Sequence, residues 1–304
     1  MIEILAKEST VSRFEQSSVS GGLDENVCRI KHADVSAGWS QYYLLTSDRH
    51  WDNPKSDLEL QKKHLNWAKE VGAGIIDIGD FFCVMQGKYD PRRDRESVRP
   101  EHNVNDYLDA VITTAIDWFE PYADRFVLVG QGNHETNFIK RHDTDLNKRF
   151  VDGLNTKSGA SVRKGQYGGF VRFSFARANN GGRNQSIDLY YHHGHGGGGP
   201  VTKGVIQSNR RAASVDADII ISGHIHESWA LTNMRFGLNH NGDRVRQNEQ
   251  LHICLRTYKE EFGNGGSGWH VEGGRPPKPV GAWVLRFYLN AVSNQIEYDA
   301  IPFK

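Results

Sequence analysis

The sequence predicts an α/β protein in which a parallel sheet covered by helices is followed by antiparallel strands, all within one domain. Three observations predict this. Between residues 42 and 151, short β-branched runs alternate with amphipathic stretches, the order of parallel strand–helix–strand units. Beyond residue 160 the helical period gives way to strand-like segments. No shift in composition marks a boundary and no internal repeat is present, so residues 41–304 read as a single domain with two sheets.

The elements follow in order. Residues 1–40 are polar and rich in Ser and Gly, with one strand near Val27–Lys31, and read as an N-terminal arm or an added edge strand. Tyr42–Thr46 is an apolar strand ending in Ser47-Asp48-Arg49-His50. Ser56 to Val71 reads as an amphipathic helix, with Leu58, Leu65 and Ala68 on one face and Ser56 as N-cap. Ala73–Ile78 is a strand ending in Gly79-Asp80. Val84 to Asn103 reads as a charged insertion without regular structure, carrying Arg92, Arg93, Arg95 and Arg99. A second helix spans about Val104–Phe119, with Leu108, Val111, Ile112 and Ala115 as its inner stripe. Arg125–Val129 is a strand ending in Gly130-Gln131-Gly132-Asn133-His134-Glu135, and Thr136–Val151 is helical. Gly169–Ala176 alternates, and Ile187–Tyr191 ends in His192-His193-Gly194-His195. A helix over about Gly204–Ala213 leads to the strand Asp218–Ser222 and Gly223-His224-Ile225-His226. Trp229–Phe236, Leu251–Thr257, Ala282–Leu289 and Gln295–Ile301 read as antiparallel strands filling 228–302.

Composition excludes several classes. Lys plus Arg equals Asp plus Glu at 37 each, against a generally basic nucleic-acid coat or an acidic tail. No apolar run approaches the ~20 residues that span a bilayer, so no membrane partner is expected. The N-terminus lacks the charged-then-apolar order of a signal peptide. Three widely spaced cysteines, Cys28, Cys83 and Cys254, form no CxxC pair, which fits a reducing, cytoplasmic setting better than a disulfide framework.

The chemistry lies at the strand ends. Five strands in succession end in metal-capable side chains: Asp48 and His50, Asp80, Asn133 and His134, the 192–195 histidines, then His224 and His226. One such residue is ordinary turn chemistry; five in a row are not. In layered α/β proteins the carboxyl ends of strands are where ligands bind. Mixed carboxylate, amide and imidazole donors suit borderline divalent ions, and the lack of thiolates argues against a structural zinc site. Gly223 reads as the residue that lets the backbone turn sharply before the two histidines.

The segments SDRH, GD, GNHE, a histidine after an apolar strand, and SGHIH, in that order over residues 42 to about 230, resemble the calcineurin-like metallophosphoesterases, whose motifs run D-x-H, G-D-x-x-D, G-N-H-[DE], H and G-H-x-H. GNHE with a downstream GHxH is the specific part. The resemblance implies a four-layer αββα sandwich, two mixed β-sheets flanked by helices. It also implies a centre of two divalent ions, Mn²⁺ foremost and Fe, Zn or Mg as alternatives. Asp48, His50 and His226 would hold one ion, Asn133, His193 and His224 the other, and Asp80 would bridge. Two cations ~3.5–4 Å apart activate a bridging hydroxide and orient a phosphoryl group. His134 would be catalytic, giving a proton to the leaving oxygen or stabilising its charge. Glu135 reads as a supporting carboxylate or as an early helix acid. Alternation points His192 and His193 to opposite sides, and a His-Gly-His run common in the family favours His193 as ligand. Arg49 and His195 are candidate substrate contacts.

The family's second motif ends in aspartate, where this chain has Cys83. The arginines of 90–99 are candidates for a lid over substrate phosphates, and Trp269 for stacking on a base. The function expected is hydrolysis of a phosphodiester in a nucleotide or nucleic acid, the alternatives being a phosphomonoesterase or a non-catalytic metal-binding scaffold.

Overall fold

A computed structural model describes residues 12–84, 98–178, 184–199, 201–239, 241–263, 266 and 269–304. In chain order the first half runs β1 (Val19–Gly21), β2 (Val27–Val35), β3 (Ser40–Thr46), α1 (Leu58–Val71), β4 (Gly74–Asp77), α2 (Tyr107–Phe119), β5 (Phe126–Val129), α3 (Asn133–His142) and α4 (Leu146–Ser158). The second half runs β6 (Arg163–Lys164), β7 (Gly168–Arg177), β8 (Gln185–His192), α5 (Val205–Ser214), β9 (Ile219–Ser222), β10 (Trp229–Leu238), β11 (Val245–Cys254), α6 (Trp269–Glu272), β12 (Ala282–Leu289) and β13 (Ile296–Phe303).

The strands form two mixed sheets. One has six strands in the order β13-β12-β3-β4-β5-β6, the other seven in the order β1-β2-β7-β8-β9-β11-β10. Alternation along β3 explains the layering. Tyr42 and Leu44 pack with Leu65, Phe119 and Phe150 under the helices, while Tyr43 and Leu45 pack with Phe173, Leu189 and Ile221 of the facing sheet. Ile75 and Ile76 divide in the same way. Each such side chain is fully buried and contributes about 1.5–3 kcal/mol through removal from water. On the outer face of the second sheet, Ser208 of α5 reaches His252 of β11. The result is the four-layer αββα sandwich. Among the described residues no helix is long and apolar enough to cross a membrane.

Several elements differ from the sequence reading, each for a local reason. The N-cap of α1 is Asp57, whose carboxylate accepts from Leu60 N, because Ser56 Oγ is turned inward to Arg49 O. The helical stretch from 136 to 151 is two helices. Asp143 takes a left-handed conformation (φ 49°) that closes α3, and Asp145 caps α4 by accepting from Lys148 N. The segment before residue 40 is part of the sandwich: β2 lies parallel to β7 inside the seven-stranded sheet, with β1 outside it. Nor are the late strands all antiparallel, since β11 pairs in parallel with β9. Of the charged insertion, residues 85–97, with Arg92, Arg93 and Arg95, lie outside the described residues. Arg99 is not a lid arginine: it is 6% exposed, stacks over Trp51 and donates to Asn53 O.

Two core histidines make stability depend on pH. His32 stacks on Phe175 and meets the Tyr43 hydroxyl, and burial pulls it down to about 4. His64 stacks on Phe303 and is pulled down, again by burial, to about 3. An unfolded histidine titrates near 6.5, so below that pH the unfolded chain binds protons that the native state refuses. The contribution is therefore complete above pH 6.5 and is lost as pH falls toward 4, by up to about 1.4 kcal/mol per unit and per histidine. We expect the urea midpoint to drop between pH 7.5 and pH 5, and to drop less in His32→Gln. An equal drop in both proteins excludes His32 as a source.

Candidate metal centre

Strands β3, β4 and β5 run parallel in one sheet, and β8 and β9 run parallel in the other. Their carboxyl ends meet at one edge of the sandwich, so the segments that leave them directly converge there. The first two are tied by backbone. Asp48 N, His50 N and Trp51 N donate to the carbonyls of Gly79, Asp80 and Phe81. Asp48, His50, Asp80, His224 and His226 all have positive φ, between 44° and 71°. They are half of the ten such non-glycine residues among those described. Left-handed backbone is costly for side chains of this size, and its concentration at one edge marks a constrained functional loop cluster.

Two motif glycines are required by close approach. A Cβ on Gly132 would lie 2.1 Å from Asp80 Oδ1, and one on Gly223 would lie 2.0 Å from Ser47 Oγ. Gly223 is thus not the turn residue expected; His224 itself takes the left-handed conformation, and Gly223 makes room for Asp48 and its neighbour.

The side chains point at common positions instead of pairing off. His226 Nε2 is 3.1 Å from Asp48 Oδ1 and 3.3 Å from His50 Nε2, so two imidazole nitrogens face each other beside a carboxylate oxygen. His193 Nε2 is 3.2 Å from Asp80 Oδ2, and that buried nitrogen makes no hydrogen bond among the described residues. His224 Nδ1 is 2.6 Å from Asn133 Oδ1. The ligand atoms of Asp48, His50 and His226 fall within 4.8 Å of one another, and so do those of Asp80, His193 and His224. Lone pairs converging on two adjacent positions are what a pair of cations requires, and the donor set fits them.

The surroundings aim these atoms. Asp48 Oδ2 accepts from Ser47 Oγ (2.6 Å) and His224 N (2.9 Å), which leaves Oδ1 for the centre. Burial alone would raise the Asp48 carboxyl; the His226 and His193 imidazoles hold it below the usual carboxylate range. His193 Nδ1 can only donate to the Ile78 carbonyl, which turns its Nε2 lone pair inward. His134 Nδ1 likewise donates to Cys83 O at 2.7 Å, so Nε2 faces the centre, 3.8 Å from Asp80 Oδ2. Glu135 is fully buried and accepts from Gly132 N, Asp80 N and Phe82 N, joining the β4 and β5 loops. Burial and the Asp80 charge push its carboxyl up to about 7.

Thus Asp48, His50, Asp80, Asn133, His134, His193, His224 and His226 come together. His192 does not: it is half-buried, and its Nδ1 accepts from Gly194 N. His195 is exposed on the glycine-rich loop, 6.0 Å ring to ring from His192. Arg49 is a correction. It is fully buried on the helix side of the sheet, with Nε 2.7 Å from Asp77 Oδ2, and cannot reach a substrate. The Trp269 side chain lies outside the described residues. Sequence reading also missed three positioning groups: Ser47, Asp52 and Tyr167. The Asp52 carboxylate accepts from Cys83 N, Val84 N and the Tyr107 hydroxyl. The Tyr167 hydroxyl donates to Gly194 O beside His193. Asp52 continues the β3 loop and was findable; Tyr167 carries no local signal.

No protein-family model matches this sequence, and no curated protein matches it significantly. Among solved structures it is similar to Vps29 complexed with Zn²⁺ from Entamoeba histolytica, at 11% identity over 87% of this chain and 100% of that one, with a TM-score of 0.35. It is also similar to GAP50, the anchor in the inner membrane complex of Plasmodium (11%, 87% and 89%, TM-score 0.42). A third is a predicted phosphoesterase from Streptococcus pneumoniae (10%, 87% and 98%, TM-score 0.32). At such identities and scores, the functional reading falls to the site itself.

Proposed function

We propose that the protein is a phosphoesterase with a centre for two divalent ions, acting on phosphodiester bonds of nucleotides or nucleic acid. The observation that supports it is the convergence of seven donor side chains, from five strand ends of two sheets, with their lone pairs turned to two adjacent positions. In this reading Asp48, His50 and His226 would hold one ion and Asn133, His193 and His224 the other, with Asp80 available to both. Divalent ions bound there supply Lewis acidity, polarising a phosphoryl oxygen and making water a nucleophile at neutral pH; Mn²⁺ is the first choice, with Fe, Zn or Mg as alternatives.

The chain's own groups do the rest. Ser47, Glu135 and the Ile78 carbonyl hold the donors in register. Water attacks phosphorus opposite the leaving oxygen and loses a proton to solvent, the ester P–O bond breaks, the leaving oxygen takes a proton from His134 Nε2, and His134 is reprotonated from solvent. Cys83 O, by accepting from Nδ1, keeps that nitrogen aimed. A diester carries one charge where a monoester carries two, and arginine forks suit the more highly charged group. Arg49 is engaged by Asp77 and Arg99 by Asn53 O, so neither is available to supply one.

The test is hydrolysis by the Mn²⁺-loaded protein of an aryl phosphodiester beside the matching monoester. We expect faster diester turnover, abolished by chelator. Faster monoester turnover would keep the centre and overturn the substrate class. Bound metal with neither activity would reduce the protein to a metal-binding scaffold. Retention of DNA that weakens steeply with salt would direct the search to nucleic acid over free nucleotides.

A further inference from the structure

Cys83 occupies the place where the second motif departs from its usual carboxylate, and the reaction above uses only its carbonyl. Its side chain is 4% exposed. The turn that carries it is held by the Asp52 carboxylate, which accepts from Cys83 N and Val84 N, and by Glu135, which accepts from Phe82 N. Sγ accepts from Asn53 Nδ2 at 3.3 Å. Sγ, one nitrogen of His50 and one nitrogen of His134 lie within 4.8 Å of one another. A tetrahedral ion with bonds of 2.0–2.3 Å spaces its donors roughly 3.5 Å apart, so closure needs a movement of about 1 Å.

Two further observations show that these donors have capacity left. His134 Nδ1 is committed to Cys83 O, leaving Nε2 as its open nitrogen. His50 is 2% exposed, its Nε2 faces His226, and its buried Nδ1 has no hydrogen-bond partner among the described residues. A buried imidazole nitrogen without a partner costs roughly 1–3 kcal/mol, which a ligated ion would relieve.

We propose that His50, Cys83 and His134 form a third, sulfur-containing cation position on the flank of the centre, selective for thiophilic ions such as Zn²⁺ and Co²⁺ over Mn²⁺ and Mg²⁺. It rests on the centre proposed above. The donor set, two imidazoles and a thiolate, has the softness those ions select, whereas Mn²⁺ and Mg²⁺ prefer oxygen. On binding, the Cys83 thiol, His134 Nε2 and His50 Nδ1 each release a proton to solvent, and the lone pairs so freed on sulfur and on the two nitrogens form the bonds to the ion; His50 then bridges to the neighbouring ion as an imidazolate, with no change of oxidation state. The ion takes the His134 Nε2 lone pair, so the same nitrogen is no longer free to serve the leaving oxygen. Zn²⁺ beyond the amount that fills the two principal positions therefore inhibits, whereas excess Mn²⁺ does not.

The experiment is spectroscopic and uses the whole protein, stripped of metal and reloaded. With Co²⁺, we expect a thiolate-to-cobalt charge-transfer band in the near ultraviolet. With Zn²⁺, X-ray absorption should show a sulfur scatterer at about 2.3 Å. Both signals should persist in Cys28→Ser and Cys254→Ser and vanish in Cys83→Ser, where inhibition by excess Zn²⁺ should weaken at least tenfold. If Cys83→Ser does not fold, the absorption spectra of the wild type and the two control variants decide. Bound Co²⁺ and Zn²⁺ with only nitrogen and oxygen neighbours overturn the third position and leave the centre standing. A protein that binds no divalent ion overturns both.

Discussion

Asp80→Asn is expected to lower metal-dependent hydrolysis about a thousandfold, equivalent to about 4 kcal/mol of transition-state stabilisation. Asp80 lies among the candidate donors of the centre. Its Oδ2 faces His193 and His134, and its Oδ1 accepts from His134 N. Asparagine keeps an oxygen for that backbone contact, so the loop stays folded. On the proposed two-ion reading, what would disappear is the negative charge between the cation positions, together with one of the two oxygens that would be shared between them. Metal analysis should therefore show fewer than two bound ions per chain, alongside an unchanged melting temperature in chelator. His134→Asn is the informative companion. Removing a positioned proton donor costs about 10²–10⁴-fold, and here the Mn²⁺ content should be unaltered. Full turnover by Asp80→Asn would remove the centre from the reaction.

Arg49→Met is expected to destabilise the fold by about 3–5 kcal/mol, the loss typical of breaking a buried ion pair, because Asp77 is left as an uncompensated charge. Arg49 and Asp77 are both fully buried. The guanidinium also donates to Gln61 Oε1 (3.0 Å) and Thr46 Oγ1 (3.1 Å), and lies 5.2 Å from the Tyr258 ring and 5.6 Å from that of Phe81. Asp77 in turn accepts from Thr46 Oγ1 and Gly79 N at the root of the Asp80 loop. The double variant Arg49→Met, Asp77→Leu should recover part of the loss, since it removes both charges. Urea denaturation measures the stability, and steady-state kinetics should show an unchanged KM. A raised KM with normal stability would return Arg49 to the substrate side.

Both predictions concern residues around the ends of β3 and β4, yet they differ in how far they were legible in advance: Asp80 and His134 were candidates from the sequence, whereas the role of Arg49 was not. Asp80, like Asp48, His50, Asn133, His224 and His226, follows directly on a short apolar strand, and that local signature places it at the sheet edge. Arg49 sits between Asp48 and His50 and carries the same signature. Its fate depends on Asp77, Gln61 and four aromatic rings brought in from other segments, which no local pattern encodes.

What the sequence by itself determined was the order of the parallel strands and the chemistry at their ends, because apolar runs, glycines and the polar residues after them act within a few positions. Tertiary structure alone decided that β12 and β13 return beside β3, and that β2 and β11 enter the second sheet in parallel. It also turned Nε2 of His193, the histidine the resemblance already favoured, inward through the Ile78 carbonyl, and set Cys83 beside His50 and His134. The physical reason is common to all of these. Burial and hydrogen-bond partners come from residues tens of positions apart, so they exist only once the two sheets have closed on each other.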